Sequence, residues 1–79
     1  MPTKLSHPLL RSVGARVRKA RRAKGISQEQ LAFAADLDRS FVSGLERGEF
    51  NVSLLVLAKL ARVLAVTLGA LIEGDRHGA

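Results

Sequence analysis

The residues of this chain with the clearest binding chemistry lie on one side of the segment from Asp38 to Arg47. If this segment is a helix with Val42 and Leu45 turned inward, the opposite side carries two cations, two hydroxyls and a glycine: Arg39, Ser40, Ser43, Gly44 and Arg47. An arginine can donate two hydrogen bonds to O6 and N7 of guanine, and a serine can donate to or accept from several bases. The pattern therefore favours contact with the base edges of DNA.

Gly44 is unusual on this side because a glycine inside a helix costs about 1 kcal/mol relative to alanine. Two explanations fit the residue. The helix backbone could approach DNA closely at this point, which makes Gly44 a candidate base contact, or Gly44 could pack tightly against a neighbouring helix.

A charged pair is predicted to hold this segment in place. Arg21 follows Val17 by four residues and Glu46 follows Val42 by four, so each charge lies beside the buried stripe of its helix. Because charges at such edges are usually paired, we expect a partly buried Arg21–Glu46 salt bridge between the first and third helices. Its role is to orient the third helix, and removing either partner leaves the other desolvated.

The elements that position these residues are predicted to be five helices in one all-α domain. The first runs from Leu9 to Gly25, and the second begins at Ser27, where Gln30 completes a capping box. Asp38 is a suitable N-cap for the third. The second and third helices form a helix-turn-helix unit, in which the second helix of the pair enters the major groove of DNA. Capped helix pairs also occur in ordinary bundles, so the spacing leaves the partner open.

The C-terminal half is predicted to form two further helices. Ser53 caps the fourth helix, whose apolar stripe comprises Leu54, Leu57, Leu60, Ala61 and Leu64. Thr67 caps a short fifth helix that Gly74 ends. The predicted organisation is a flexible arm, one compact domain and a frayed tail: residues 1–8, 9–74 and 75–79.

Charge and composition narrow the class of protein. The chain has 79 residues and a net charge of +6. Its first 24 residues hold no acid and carry these bases: Lys4, Arg11, Arg16, Arg18, Lys19, Arg21, Arg22 and Lys24. Such a basic pole suits an anionic partner, either nucleic acid or a membrane surface. A spanning helix is not expected over residues 52–72, because Lys59 and Arg62 near its centre would each cost about 2.5–3.5 kcal/mol in a bilayer.

No catalytic or metal chemistry is predicted. The two histidines, His7 and His77, fall in the predicted tails, and no nucleophile–base pair or metal-ligand cluster accompanies them. Cysteine is absent, which excludes disulfides and thiolate metal sites and fits a cytoplasmic protein. We therefore expect a non-enzymatic protein without cofactor, metal or small-molecule ligand.

Two strings of residues, 28–32 and 37–48, resemble the Xre or Cro/CI-like family of repressor-type helix-turn-helix domains. The resemblance covers roughly residues 9–73, and within the family the run from Asp38 to Gly44 is most similar to the controller proteins of restriction–modification systems. It implies a five-helix, lambda-repressor-like fold and a transcriptional regulator that recognises double-stranded DNA.

The resemblance also implies roles for individual residues. Bases would be contacted from the third helix by Arg39, Ser40 and Ser43. Backbone phosphates would be contacted by Gln28, Arg47, Asn51 and Ser53. The family usually has basic residues after the glycine that matches Gly48, but this chain has Glu49 and Phe50 there, and Asp36 stands where the family usually has glycine.

A homodimer is predicted from an excess of apolar residues near the C-terminus. A chain this short buries only roughly 60% of its unfolded surface, so a partner would stabilise it. The predicted interface comprises Val63, Val66, Leu68, Leu71 and Ile72, with Val56 nearby. A two-fold dimer would recognise an inverted repeat, and two dimers could occupy adjacent sites. Alternatively, these residues simply close the monomer core.

Two other functions remain open, namely an antitoxin or similar interaction module with autoregulatory DNA binding, and a protein that binds membrane surfaces through its basic first helix. Phe33 lies off the inner face of the second helix, where it could shield a neighbouring loop or mark a contact surface.

Overall fold

The computed structural model describes residues 7–74, and within this range the chain forms five α-helices and no strand. The helices are α1 (Pro8–Lys24), α2 (Gln28–Ala35), α3 (Arg39–Glu46), α4 (Leu54–Leu64) and α5 (Leu68–Glu73). The predicted all-α, five-helix fold is therefore confirmed. None of these helices has the length and apolar character needed to cross a membrane. Residues 1–6 of the predicted arm and the predicted tail 75–79, with His77, lie outside the described residues.

Helix α1 begins one residue earlier than predicted. His7 is its N-cap, and the imidazole Nδ1 accepts a hydrogen bond from the Leu9 N–H at 3.0 Å. Pro8 is the first helical residue, a position where its missing N–H costs nothing and its fixed φ suits the helix. The predicted arm of residues 1–8 is thus wrong at its end, because His7 and Pro8 form the start of the helix.

The helix-turn-helix unit is built by local capping. Ser27 Oγ accepts from the Gln30 N–H at 3.0 Å while Gln30 Oε1 accepts from the Ser27 N–H at 2.8 Å, so the predicted capping box is confirmed. Asp36 ends α2 with φ 58°, a left-handed conformation that aspartate tolerates better than most residues. Asp38 occupies the N-cap position of α3 without a side-chain cap hydrogen bond.

Helix α3 is held against α1 by a very close approach of the two backbones. A β-carbon on Gly14 would lie 2.7 Å from the backbone oxygen of Glu46, and closer still to that of Leu45. Only glycine leaves room for this contact. The close approach brings the side chains of α1 within reach of the C-terminal end of α3.

The core is almost entirely aliphatic and draws on all five helices. Its buried residues are Val13, Val17, Leu31, Ala32, Ala35, Val42, Leu45, Leu57, Leu60, Ala61, Leu64 and Leu71. The predicted inner faces of α2 and α3 are confirmed by this set. The predicted stripe of α4 is wrong at Leu54, which is 63% exposed, although Leu57 in the same turn is buried in the core.

The predicted dimer surface is also wrong at one position. Leu71 is only 2% exposed and belongs to the core of its own domain, so it cannot contribute to an interface between copies. Its four companions are half-buried and pack against that core: Val63, Val66, Leu68 and Ile72. The alternative, that these residues close the core of the monomer, is therefore correct for Leu71. The other four contact the core but keep part of their surface exposed.

Candidate nucleic-acid interface

The outer side of α3 presents polar side chains to solvent. Arg39 and Ser40 are exposed in its first turn, and Ser43 is half-buried one turn later. Val42 and Leu45 are buried on the opposite side, in the core. The orientation predicted for α3 is therefore confirmed. The contacts of its side chains with bases stay a prediction.

Gly44 does not belong to this outer surface. It is buried, and a β-carbon there would collide with the ring of Phe50. Phe50 in turn stacks on Phe41, with ring centroids 5.6 Å apart and an interplanar angle of 6°. The prediction that Gly44 contacts a base is wrong, because an aromatic ring covers it; tight packing explains the glycine.

The stacked aromatic pair also accounts for Phe50, which replaces a basic residue usual in the family. Its ring spans from α3 to the loop that follows, using the space that Gly44 leaves free. The sequence contained the signal, namely a helical glycine six residues before a phenylalanine, but periodicity says nothing about contacts made by a loop side chain.

The predicted Arg21–Glu46 salt bridge is present and joins α1 to α3. Arg21 Nε donates to Glu46 Oε2 at 2.7 Å, and Nη2 donates to Oε1 at 3.0 Å. The third guanidinium nitrogen, Nη1, donates to the Ile26 carbonyl oxygen at 3.0 Å. Arg21 is 8% exposed and Glu46 7%, so the bidentate pair is more deeply buried than an ordinary surface ion pair.

Both members of this pair stay charged. Burial by itself would raise the pKa of Glu46, but hydrogen bonds from Arg21 and Gln28 outweigh it and hold that pKa below its usual value. The hydrogen bond to Glu46 raises the pKa of Arg21, against the opposing effect of burial. The orientation of α3 thus depends on a fully ionised, fully hydrogen-bonded pair.

Gln28 is the third member of this cluster. Its Nε2 donates to Glu46 Oε1 at 3.0 Å, which fixes the amide at the start of α2. An amide has a second N–H and a carbonyl oxygen beyond this bond. The phosphate contact implied for Gln28 stays a prediction, but the structure explains how the side chain is positioned for it.

Arg47, just beyond α3, is bound to neighbouring side chains. Its Nε donates to Glu49 Oε2 at 2.8 Å and its Nη2 to Oε1 at 3.2 Å, while Nη1 donates to Ser43 Oγ at 2.6 Å. The hydrogen bond to Glu49 raises the pKa of Arg47 above its usual value. A phosphate approaching Arg47 would compete with this carboxylate for the guanidinium. The Arg47–Glu49 ion pair was not predicted from the sequence.

The loop before α4 carries the remaining predicted phosphate contacts. Asn51 and Ser53 are both exposed, and Ser53 Oγ accepts from the Val56 N–H at 3.1 Å as the N-cap of α4. The first backbone N–H groups of a helix lack internal partners and favour anions. The structure places the two residues on the surface, and their contact with phosphate remains a prediction.

Several large apolar side chains are exposed on α2 and α4. Phe33 is 89% exposed, so it shields no loop, and that explanation for the residue is wrong. Leu54 and Leu55 are exposed at the start of α4 and were not part of the predicted dimer surface. Among residues 7–74, no group of three or more acidic or histidine side chains is placed to hold a metal ion.

Comparison with known proteins decides the family. The family described as Helix-turn-helix matches residues 17–71, which span the C-terminal half of α1, all of α2 to α4 and most of α5. The chain belongs to this helix-turn-helix family. The match includes both strings that resembled the Xre or Cro/CI-like domains, so that resemblance is confirmed.

Individual members of the helix-turn-helix family are similar over most of their length. The control protein C.BamHI of Bacillus amyloliquefaciens is 46% identical over 54 residues, which are 67% of this chain and 67% of that protein. The crystal structure of the restriction-modification controller protein C.AhdI from Aeromonas hydrophila has a TM-score of 0.76 at 52% identity, over 78% of this chain and 94% of that one. SinR from Bacillus subtilis, solved in complex with DNA, has a TM-score of 0.74 at 34% identity, over 77% and 98%.

Proposed function

We propose that this protein is a sequence-specific DNA-binding transcriptional regulator that inserts α3 into the major groove as a homodimer. The observation that carries the proposal is the outer side of α3, where exposed Arg39 and Ser40 stand on a helix that the Arg21–Glu46 pair holds in place. C.BamHI and C.AhdI are named as control or controller proteins, and SinR was solved with DNA bound. By likeness to them, we infer the controller of a restriction–modification operon, acting in the cytoplasm.

Base recognition is assigned to three side chains of α3. Arg39 lies in the first turn, where its guanidinium can donate to O6 and N7 of one guanine. Ser40 offers a hydroxyl beside it. Ser43 accepts a hydrogen bond from Arg47, so its own hydroxyl hydrogen is free to be donated to an acceptor on a base edge.

Phosphate contacts position α3 in the groove without reading sequence. The DNA backbone on either side of α3 would be contacted by Gln28 at the start of α2 and by the loop residues Asn51 and Ser53. Arg47 would add a contact after releasing Glu49. Because α2 and α4 begin with backbone N–H groups that lack partners within the helix, both ends suit a phosphate.

Dimerisation would place two copies of α3 on one face of the duplex. Successive major grooves on one face are separated by about 34 Å, so a two-fold dimer matches an inverted repeat. The half-buried residues Val63, Val66, Leu68 and Ile72 are the proposed interface. Two such dimers on adjacent sites would make regulation depend on the concentration of the protein itself.

The experiment that tests this function is selection of bound duplexes from a random pool by the purified protein. We expect an inverted repeat to emerge, bound at least about a thousandfold more tightly than a scrambled duplex. Arg39→Ala should then cost about 1–3 kcal/mol and relax the preference at one base pair in each half-site. Arg62→Ala, on the exposed side of α4, is the control and should keep the wild-type preference. A pool that shows no enrichment contradicts the proposal.

A second candidate is an antitoxin or similar interaction module that also binds its own operator. The exposed side chains of Phe33, Leu54 and Leu55 favour it, because exposed apolar surface can mark a protein interface. Phe33→Ser separates the two: it should leave operator binding intact in either case, but abolish the capture of a protein partner only in the second.

A further inference from the structure

A basic patch on α1, formed by Arg18, Lys19 and Arg22, takes no part in the contacts proposed so far. All three residues are exposed. Arg18 and Arg22 are one helical turn apart on the same side of α1. Together with Lys19 and Ala15 they line a shallow groove whose remaining wall is Glu46, near the end of α3. The patch is therefore adjacent to the C-terminal end of α3.

The patch has a local excess of positive charge. Glu46 is the acid that lines this groove, and its two carboxylate oxygens already accept hydrogen bonds from Arg21 and Gln28. Arg18 lies close enough for its charge to lower the pKa of Glu46, yet the hydrogen bonds of that carboxylate come from the other two residues. The single negative charge of Glu46 is thus balanced by Arg21, which leaves the charges of Arg18, Lys19 and Arg22 in excess. The groove therefore attracts a further anion.

The position of the patch identifies the anion. Gln28, which shares Glu46 with Arg21, marks the start of α2, where the proposed function places a backbone phosphate. Duplex DNA carries one negative charge per about 1.7 Å of its axis, so phosphates next to that site lie within reach of the neighbouring cations. We propose that Arg18 and Arg22 bind backbone phosphates of the same duplex, beside the strand that Gln28 contacts. This inference rests on the proposed function.

An anionic membrane surface fits the patch less well. An amphipathic helix binds a bilayer by burying its apolar face in the headgroup region. The apolar face of α1 is already committed to the core, where Val13 and Val17 are buried against the other helices. Apart from Leu9 at its start, α1 presents mainly polar residues to an external partner, and these suit the phosphates of a duplex.

The test compares two charge-matched double variants. Arg18→Gln with Arg22→Gln removes two charges from the patch, and Lys59→Gln with Arg62→Gln removes two from the exposed side of α4 as the control. Dissociation constants are measured for the selected operator and for a scrambled duplex across a range of NaCl concentrations. Thermal unfolding of each variant, followed by circular dichroism, verifies that it is folded.

The patch variant should weaken binding to both duplexes by the same factor, so that their ratio stays unchanged. The slope of log affinity against log salt should shrink by about 0.9 for each phosphate that is no longer neutralised, or roughly 1.8 in all. The control should keep the wild-type slope.

Equal slopes in all three proteins, or an equal reduction in both variants, would overturn the proposal. Weaker binding of the patch variant to phosphatidylserine vesicles with an unchanged DNA slope would overturn it too. Failure of the proposed function looks different, since wild-type protein would then bind the operator no better than the scrambled duplex.

Discussion

The guanidinium of Arg47 is bound in two places to the carboxylate of Glu49, two residues further along the chain, with Nε 2.8 Å from Oε2. The pair stands beside the outer side of α3, where a phosphate is expected to approach. The carboxylate therefore uses the same donors that a phosphate would use. On the proposed function, Glu49 would therefore compete with a DNA phosphate for the Arg47 guanidinium.

Glu49→Gln is expected to strengthen binding to operator and scrambled duplexes alike, roughly two- to fivefold at low salt. The substitution frees Arg47 and removes a negative charge that faces the phosphates. The gain should fade as salt is raised, because exposed charges are screened. Fluorescence anisotropy with labelled duplexes measures the change. Glu73→Gln at the end of α5 is the control, and an equal gain there would attribute the effect to net charge alone.

The Arg21–Glu46 pair provides a prediction about stability. Arg21→Met should cost about 3–5 kcal/mol in free energy of unfolding, because it leaves Glu46 buried without its cation. Combining Arg21→Met with Glu46→Leu should recover most of that stability, since no buried charge remains. Urea unfolding of the two single variants and the double variant completes the cycle. Simple additivity of the two single effects would show that the charges are not coupled.

The lowered pKa of Glu46 predicts how stability depends on pH. Between the folded-state pKa and the ordinary value of 4.5, the unfolded chain binds a proton at this site that the folded protein does not. The contribution of Glu46 is thus fully present above pH 4.5 and declines as pH falls through the folded-state pKa. Glu46→Gln lacks this titration, so its stability deficit against wild type should narrow on acidification from about pH 6 to about pH 3. A deficit that stays constant over this range contradicts the prediction.

The proposed interface predicts an effect on assembly. Val63→Lys and Ile72→Lys should each shift the protein from dimer to monomer at micromolar concentration, because a half-buried apolar contact between copies would receive a charge. Both should also weaken operator binding, since an inverted repeat requires two copies of α3. Sedimentation velocity measures the assembly, and Phe33→Lys on α2 serves as the control that should remain dimeric. Wild-type protein that sediments only as a monomer would remove the interface altogether.

Much of this molecule follows from short-range features of the sequence. The helix starts at Ser27, Ser53 and Thr67 were predictable because each hydroxyl caps a backbone N–H three residues away. The Arg21–Glu46 pair was predictable for a related reason. Two helices that bury adjacent stripes must bring the charges at the edges of those stripes together.

The errors mostly concern residues whose surroundings come from distant parts of the chain. Leu54 and Leu71 both fit an apolar helical spacing, yet one is exposed and the other buried. Spacing describes which side of its own helix a residue occupies, not whether another helix covers that side. The prediction that Gly44 contacts a base was wrong for the same reason, since the ring of Phe50 covers it from a loop.

The amino-acid sequence by itself determined the five helices, the caps of α2, α4 and α5 and the polar outer side of α3, because hydrogen bonds and side-chain periodicity act over a few residues. Only the tertiary structure decided that Gly44 is covered, that Leu71 belongs to the core and that Arg47 is held by Glu49. These outcomes depend on which surfaces meet and on which rotamers then bring charges together. Such contacts are set by the packing of the whole domain.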